Sequence, residues 1–295
     1  MKELVLKAYA KINLALDVIR KREDGYHDVK MIMQNIDLFD ELTFSVDDEV
    51  NSNEASNTYK IELVSNKDSI PTDERNLVYK AIKMMFEQFD IKAEVKVNLI
   101  KNIPVEAGMA GGSTDCAAAI KAVNELFNLK LTIDEMMKIG VKLGADVPFC
   151  LLAKTALSEG IGEVLTEVAP LRNCFVLIAK PSVSVSTGMV YGNLKCDQLE
   201  HHPDIDGMIK ALEKEDINGV STCMENVLET VTVKLYPIIE EIKSIMKEKG
   251  AINAIMSGSG PTVFGIFEDR EKAENAKKYI IDNNYSKEVY VTNPV

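Results

Sequence analysis

A chain of 295 residues is long enough for one large or two medium domains with a sizeable core. Its 46% hydrophobic and 27% charged residues are ordinary for a soluble globular protein, and a formal net charge of −12 argues against a nucleic-acid partner, which calls for a basic surface. No stretch is long and apolar enough to span a membrane and no N-terminal run resembles a signal peptide; five cysteines without C-x-x-C spacing read as buried thiols, so a cytoplasmic location is expected.

The first part of the chain alternates in strand fashion: LVLKAYAKINLALDVI, HDVKMIMQNIDL, ELTFSV and YKIELV. The polar run DDEVNSNEASNT, 47–58, is predicted as a loop between strands. Within the first strand, Lys11 and Asn13 point to one face, since residues two apart share a face. On a strand built for burial they need a polar partner, unless the strand lies at an edge with that side in water. A helix is predicted over RNLVYKAIKMMFEQF, with Leu77, Ala81, Met84 and Met85 on one face, followed by a strand at AEVKVNLIK.

That strand leads into PVEAGMAGGSTDCAAA, 104–119. Gly108, Gly111 and Gly112 free the backbone and admit a close ligand. Ser113, Thr114 and Asp115 are N-cap types, and a helix with an apolar stripe is predicted from about Asp115. A glycine loop feeding a helix start offers unpaired N–H groups and a partial positive charge, which suit a phosphate; a plain glycine turn with a cap is equally compatible. The glycine spacing and the lack of a lysine after Gly112 exclude a Walker loop and a dinucleotide-binding turn. In so acidic a chain, a polyphosphate would need local lysines, helix dipoles and a divalent cation to hold it.

A helix follows at IDEMMKIGVKL, then a turn at GADVPF, where Asp146 reads either as a cap or as a base held rigidly between Gly144 and Pro148. After TALSEGIGEVL the composition shifts, which divides the chain into domains 1–166 and 167–295. The second opens on CFVLIAKPS, a buried strand, then runs through helices to about residue 247, strands AINAIMS and PTVFGIF, helix REKAENAKKYII and strand KEVYVTN. That order is the ferredoxin-like split pattern with added helices, whereas the first domain mixes strands and helices in an α+β order. Between the two glycine-flanked strands, Ser257 to Pro261 form a small-residue loop that either approaches a ligand closely or simply turns.

Taken together, AKINLALDV followed by REDGYHDV, IPVEAGMAGGSTDCAAA, LGADVPFCL, LSEGIGEVL and MSGSGPTVFGIF resemble the GHMP kinases, small-molecule kinases with a glycine loop unrelated to the Walker loop. The likeness is strongest to the branch that phosphorylates a cytidyl-diphosphate sugar alcohol in non-mevalonate isoprenoid precursor synthesis, and it spans nearly the whole chain. It implies an α+β fold of two units, an N-terminal ribosomal S5 domain 2-like unit and a C-terminal ferredoxin-like unit. It also implies ATP and Mg2+ as cofactors.

By the same resemblance, Pro104, Val105, Glu106, Ala107, Gly108, Met109, Ala110, Gly111, Gly112, Ser113 and Thr114 cradle the ATP phosphates, and Asn76, Leu77 and Lys101 fall in the adenine pocket. Asp146 is the implied general base and Lys11 the cation that keeps it ionised. Asn13 orients the substrate hydroxyl, Tyr26, His27 and Tyr191 hold the cytidine, and Gly258, Ser259 and Gly260 touch the substrate. Ser113 and Asp115 are candidate contacts for the metal. Glu106 and Ala107 stand where many relatives carry glycine. Two alternatives stay open: another GHMP kinase acting on mevalonate-pathway substrates or homoserine, against which DGYH and the early Lys11 count, and a non-catalytic nucleotide-binding relative, against which Lys11 and Asp146 count.

Overall fold

A computed structural model describes residues 2–46 and 59–295, so the loop expected at 47–58 lies outside the described residues. Two long strands come first, β1 (Lys2–Lys21) and β2 (His27–Val46). The runs HDVKMIMQNIDL and ELTFSV, expected as separate strands, are one, because the intervening Asp40 finds its hydrogen bonds inside the protein. The chain builds two compact units that interleave along the sequence. One takes Met1–Ala10, Leu38–Ile103 and Ala110–Ala153; the other takes Lys11–Asp37, Pro104–Met109 and Lys154–Val295.

The first unit contains β3 (Lys60–Ser65), α1 (Leu77–Gln88), β4 (Glu94–Ile100), α2 (Gly111–Leu126), α3 (Ile133–Gly140) and α4 (Val147–Leu152). β4 pairs antiparallel with Glu41–Val46 of β2 and parallel with β3. Alternate residues bury Val95, Val97 and Leu99 from β4 with Leu42 and Phe44 from β2, as a half-buried sheet requires. α1 starts where the Asn76 side chain accepts the Val78 N–H, and it buries Val78, Ala81, Ile82, Met85 and Phe86. The alanine run of α2, Ala117 to Ala119 and Ala122, is buried, and these small side chains let α1 and α4 pack close to it. Truncating Phe86 to alanine in this core is expected to cost about 3–5 kcal/mol.

From Lys154 on, the second unit has the hairpin β5 (Ala156–Glu159) and β6 (Val164–Glu167), β5 also pairing with Met31–Met33 of β2. Then follow β7 (Phe175–Lys180), five short α-helices, α5 (Thr187–Asn193), α6 (Ile205–Glu213), α7 (Ile217–Thr222), α8 (Glu229–Leu235) and α9 (Ile238–Glu248), and finally β8 (Asn253–Met256), β9 (Val263–Phe267), α10 (Arg270–Asp282) and β10 (Glu288–Thr292). The sheet runs β10-β7-β9-β8, antiparallel throughout. This is the ferredoxin-like split arrangement, with α5 to α8 inserted before α9. Among the described residues, no helix is long and apolar enough to cross a membrane.

Candidate active site

In the first unit, α2 starts at Gly111 and not near Asp115. Ala110 precedes it in the left-handed region, φ 57°, without a side-chain cap, and the first intrahelical bond runs from the Thr114 N–H to the Ala110 carbonyl at 2.9 Å. The N–H groups of Gly111, Gly112 and Ser113 therefore lie ahead of the helical ladder and point out of the terminus. Ser113, Thr114 and Asp115, read as caps, sit inside the helix. Close packing explains the early start: a Cβ on Gly111 would stand 3.2 Å from Ile103 Cγ2 and 3.3 Å from Lys101 Nζ.

Other expected nucleotide residues gather around this end. A Cβ on Gly112 would meet Leu77 Cδ1 at 3.6 Å. Asn76 spends its amide on structure, accepting from the Val78 N–H and donating to the Pro71 carbonyl, and so fixes Leu77. Lys101 and Asp115 are buried and paired with each other at 2.7 Å, so Asp115 faces inward and not toward a metal. GADVPF holds the start of α4 as well as a turn. Asp146 takes the N-cap position, φ −82° and ψ −11°, yet its side chain makes no capping hydrogen bond. The Ser113 hydroxyl lies 3.9 Å from where a Cβ on Gly144 would stand, beside the turn that carries Asp146.

In the second unit, the loop Pro104–Met109 is shaped by two positive φ angles, 53° at Glu106 and 68° at Gly108. Glu106 carries a cost of order 1–2 kcal/mol that glycine would avoid. Gly108 has no alternative, since a Cβ there would stand 2.5 Å from the Ser257 carbonyl. The Gly108 carbonyl accepts from Lys11 Nζ and from Ser257 Oγ, each at 3.1 Å. Lys11 Nζ also donates to Asn13 Oδ1 at 2.7 Å, so these two buried polar residues partner one another in the interior. Ser259 Oγ shares a 2.8 Å hydrogen bond with Thr187 Oγ1, and its carbonyl accepts from Thr232 Oγ1.

The residue that braces this second glycine loop escaped the sequence reading. Asn226 is buried and donates its amide to the carbonyls of Met256 and Gly258, both at 2.8 Å, while its oxygen accepts the Leu228 N–H. All of its hydrogen-bonding capacity toward the loop goes to backbone, which leaves no side-chain pattern to read.

DGYH lies in the second unit. The Tyr26 ring is exposed, while His27 is buried with its ring 5.1 Å from that of Tyr191, tilted at 45°. Burial, reinforced by the Lys21 charge, holds the His27 pKa below its ordinary value, so the ring is neutral. Its Nε2 atom is buried without a hydrogen-bond partner in the protein. A neutral ring nitrogen donates or accepts according to tautomer, which suits the mixed donor and acceptor edge of a base.

Comparison with known proteins fits these features. The family model for the GHMP kinases N terminal domain matches residues 76–154 and that for the GHMP kinases C terminal matches 208–287. A 4-diphosphocytidyl-2-C-methyl-D-erythritol kinase of Lachnoclostridium phytofermentans is 52% identical over 287 residues, covering 97% of this chain and 96% of that protein. A protein of the same name from Lachnospira eligens is 48% identical, covering 99% and 98%. A crystal structure of 4-(cytidine 5'-diphospho)-2C-methyl-D-erythritol kinase superposes with a TM-score of 0.82 at 26% identity over 99% of each chain. A homoserine kinase from Cytophaga hutchinsonii, at TM-score 0.77 and 21% identity over 100% of this chain and 96% of its own, shares the fold.

Proposed function

The chain belongs to the GHMP kinases, and within them to the 4-diphosphocytidyl-2-C-methyl-D-erythritol kinases; from this premise we propose how its residues divide the reaction. It is an ATP-dependent small-molecule kinase that phosphorylates a hydroxyl of 4-diphosphocytidyl-2-C-methyl-D-erythritol. We place that step in non-mevalonate isoprenoid precursor synthesis. The observation that carries the reading is 52% identity along 97% of the chain.

Phosphoryl transfer is mainly positioning and charge stabilisation. The loop from Pro104 to Thr114 takes the ATP phosphates, with the N–H groups of Gly111, Gly112 and Ser113 as donors aligned with the helix dipole. Asp146 accepts the proton of the acceptor hydroxyl, whose oxygen then attacks the γ-phosphorus as ADP leaves. Lys11 supplies positive charge to the transferred group, held in place by Asn13 Oδ1 and the Gly108 carbonyl. Asn13 orients the acceptor hydroxyl, Gly258, Ser259 and Gly260 line the acceptor, and Lys101, Asn76 and Leu77 border the adenine. His27 pairs with the cytosine edge, with Tyr26 and Tyr191 against its face; the unpartnered Nε2 of His27 supports this.

Among the described residues no group of three or more His, Cys, Asp and Glu side chains fits a metal ion, and Asp115 faces inward. The Ser113 hydroxyl would be a single protein ligand to a magnesium ion arriving with the ATP phosphates, which would neutralise their charge. None of the five cysteines forms a disulfide and three are buried, which supports a reducing, cytoplasmic location.

The test is ADP release with the cytidyl alcohol, mevalonate and homoserine as acceptors. Turnover is expected with the first. A site built to hydrogen-bond a base rejects ligands that lack one, because its polar groups are left unpaired. Comparable turnover of mevalonate or homoserine would leave only the GHMP kinase assignment standing.

A further inference from the structure

Beneath the start of α2, within the first unit, lies a charge cluster drawn from three elements. Asp40 comes from β2, Lys101 directly follows β4 and Asp115 comes from α2. In the β2–β4 ladder Glu41 pairs with Ile100, so Asp40 falls opposite Lys101 one step on. The three residues are 0%, 5% and 3% exposed. Lys101 Nζ donates to Asp40 Oδ2 and, at 2.7 Å, to Asp115 Oδ2. Asp40 Oδ1 accepts the N–H groups of Asn102 and Ile103 at 2.6 and 2.8 Å. One carboxylate thus receives the ammonium and also fixes the turn by which the chain leaves β4. The Lys101 backbone is held too, its N–H donating to Asn66 Oδ1.

Stability alone does not account for this cluster. Burying three ionisable groups carries a desolvation cost of several kcal/mol each, and apolar replacements of buried ion pairs are often as stable or more so. The placement of the ammonium is also costly in isolation. It lies 3.3 Å from the Cβ position of Gly111, under a helix terminus that already carries the positive end of the dipole. A cation there is favourable when an anion sits on the other side of that terminus.

We propose that Asp40, Lys101 and Asp115 are a positioning triad for the nucleotide, locking the first turn of α2 to the end of β4 so that its N–H groups converge on a polyphosphate. The proposal rests on the reading that the ATP phosphates lie at this terminus. The charge state of the cluster agrees with it. Burial opposes the Lys101 ammonium, but the two carboxylates outweigh burial and keep its pKa above the ordinary value. Burial, with the like charge of Asp40, pushes the Asp115 carboxyl up to about 8 against the pull of Lys101.

The experiment compares wild type, Asp115→Asn, Asp115→Ala and Asp40→Asn in the full-length enzyme. It measures the Kd of a non-hydrolysable ATP analogue by calorimetry, KM for each substrate, and Tm. Asp115→Asn keeps shape and neutrality and is expected to bind the analogue within a few-fold of wild type. Asp115→Ala and Asp40→Asn are expected to weaken it by about tenfold or more, as small displacements of binding groups do, with the KM of the acceptor unchanged. Should Asp115→Ala fail to fold, Asp40→Asn carries the same test. Lower Tm with an unchanged nucleotide Kd in these two variants would overturn the proposal and make the triad framework only. A structure of wild type with the analogue keeps the two readings apart: phosphates away from Gly111–Ser113 defeat the phosphate reading itself, whereas phosphates there with normal binding in the variants defeat the triad alone.

Discussion

The rings of His27 and Tyr191 stand 5.1 Å apart at 45°, and the buried Nε2 of His27 has no partner in the protein. Leaving a buried polar atom unpaired costs about 1–3 kcal/mol, which a ligand group that hydrogen-bonds to it recovers. His27→Ala is therefore expected to raise the KM of the cytidyl alcohol by about tenfold or more, the scale of that hydrogen bond, and to leave the KM of ATP near wild type. Steady-state kinetics with each substrate varied in turn checks this. An unchanged acceptor KM would remove His27 from cytosine recognition.

Gly108 tests the contact between its loop and the Ser257–Gly260 turn. Its φ of 68° disfavours any side chain by about 1–2 kcal/mol. A Cβ would in addition stand 2.5 Å from the Ser257 carbonyl, a backbone atom with little freedom to move, because Asn226 grips the neighbouring carbonyls of Met256 and Gly258. Gly108→Ala is expected to lower Tm and to reduce kcat, since the Gly108 carbonyl seats Lys11. Thermal melts and turnover at saturating substrate measure both. Wild-type values of the two would show that the loop does not rest on Ser257.

Much of this was legible in the sequence where period and chemistry agree. The split strand order of the second unit follows from alternating apolar runs bounded by turn residues, and the glycines of 104–119 announce a backbone that something approaches. The sequence even carries a sign of the buried triad: Val95, Val97, Leu99 and Lys101 share one face of a strand, so the lysine continues a buried stripe. What it did not reveal is the partner. Asp40 lies 61 residues away, and pairing register brings it opposite Lys101. The same carboxylate, by satisfying itself internally, lets β2 run through an acid that reads as a strand break. The early start of α2 was hidden for a related reason, since Gly111 is placed by packing on Ile103 and Lys101 and not by helix propensity. Asn226 acts on backbone carbonyls and leaves no pattern at all.

Asp115 gives a pH dependence with a definite sign. In the unfolded chain its carboxyl ionises near ~4. In the fold, burial pushes it up to about 8. Between those values the folded state keeps a proton that the unfolded state has released, so the stability tied to this group is fully present below the lower value and is lost as pH rises through the upper one. Asparagine has no proton to lose. The Tm of Asp115→Asn relative to wild type should accordingly rise from pH 5 to about 8 and level off beyond, read by thermal melts across that range. Curves that stay parallel would mean that Asp115 is ionised in the fold throughout.

Asp146 is the proposed general base. It stands at the N-cap position of α4 without a side-chain capping bond, so its carboxylate adds nothing to that helix through a cap. Asparagine is in any case as good a cap as aspartate, which makes Asp146→Asn a clean removal of basicity. Loss of a general base typically costs on the order of 10²–10⁴-fold in rate, so kcat should fall on that scale while Tm and the affinity for an ATP analogue stay near wild type. The acceptor hydroxyl would still sit before the γ-phosphorus, but its proton would have no carboxylate to receive it. Lys11→Met should also depress kcat, and it differs in a second readout: it strips a donor from Asn13 Oδ1 and from the Gly108 carbonyl, so it should lower Tm as well. An Asp146→Asn enzyme that turns over within a few-fold of wild type would rule out the carboxylate as base and leave catalysis to positioning and to the charge of Lys11.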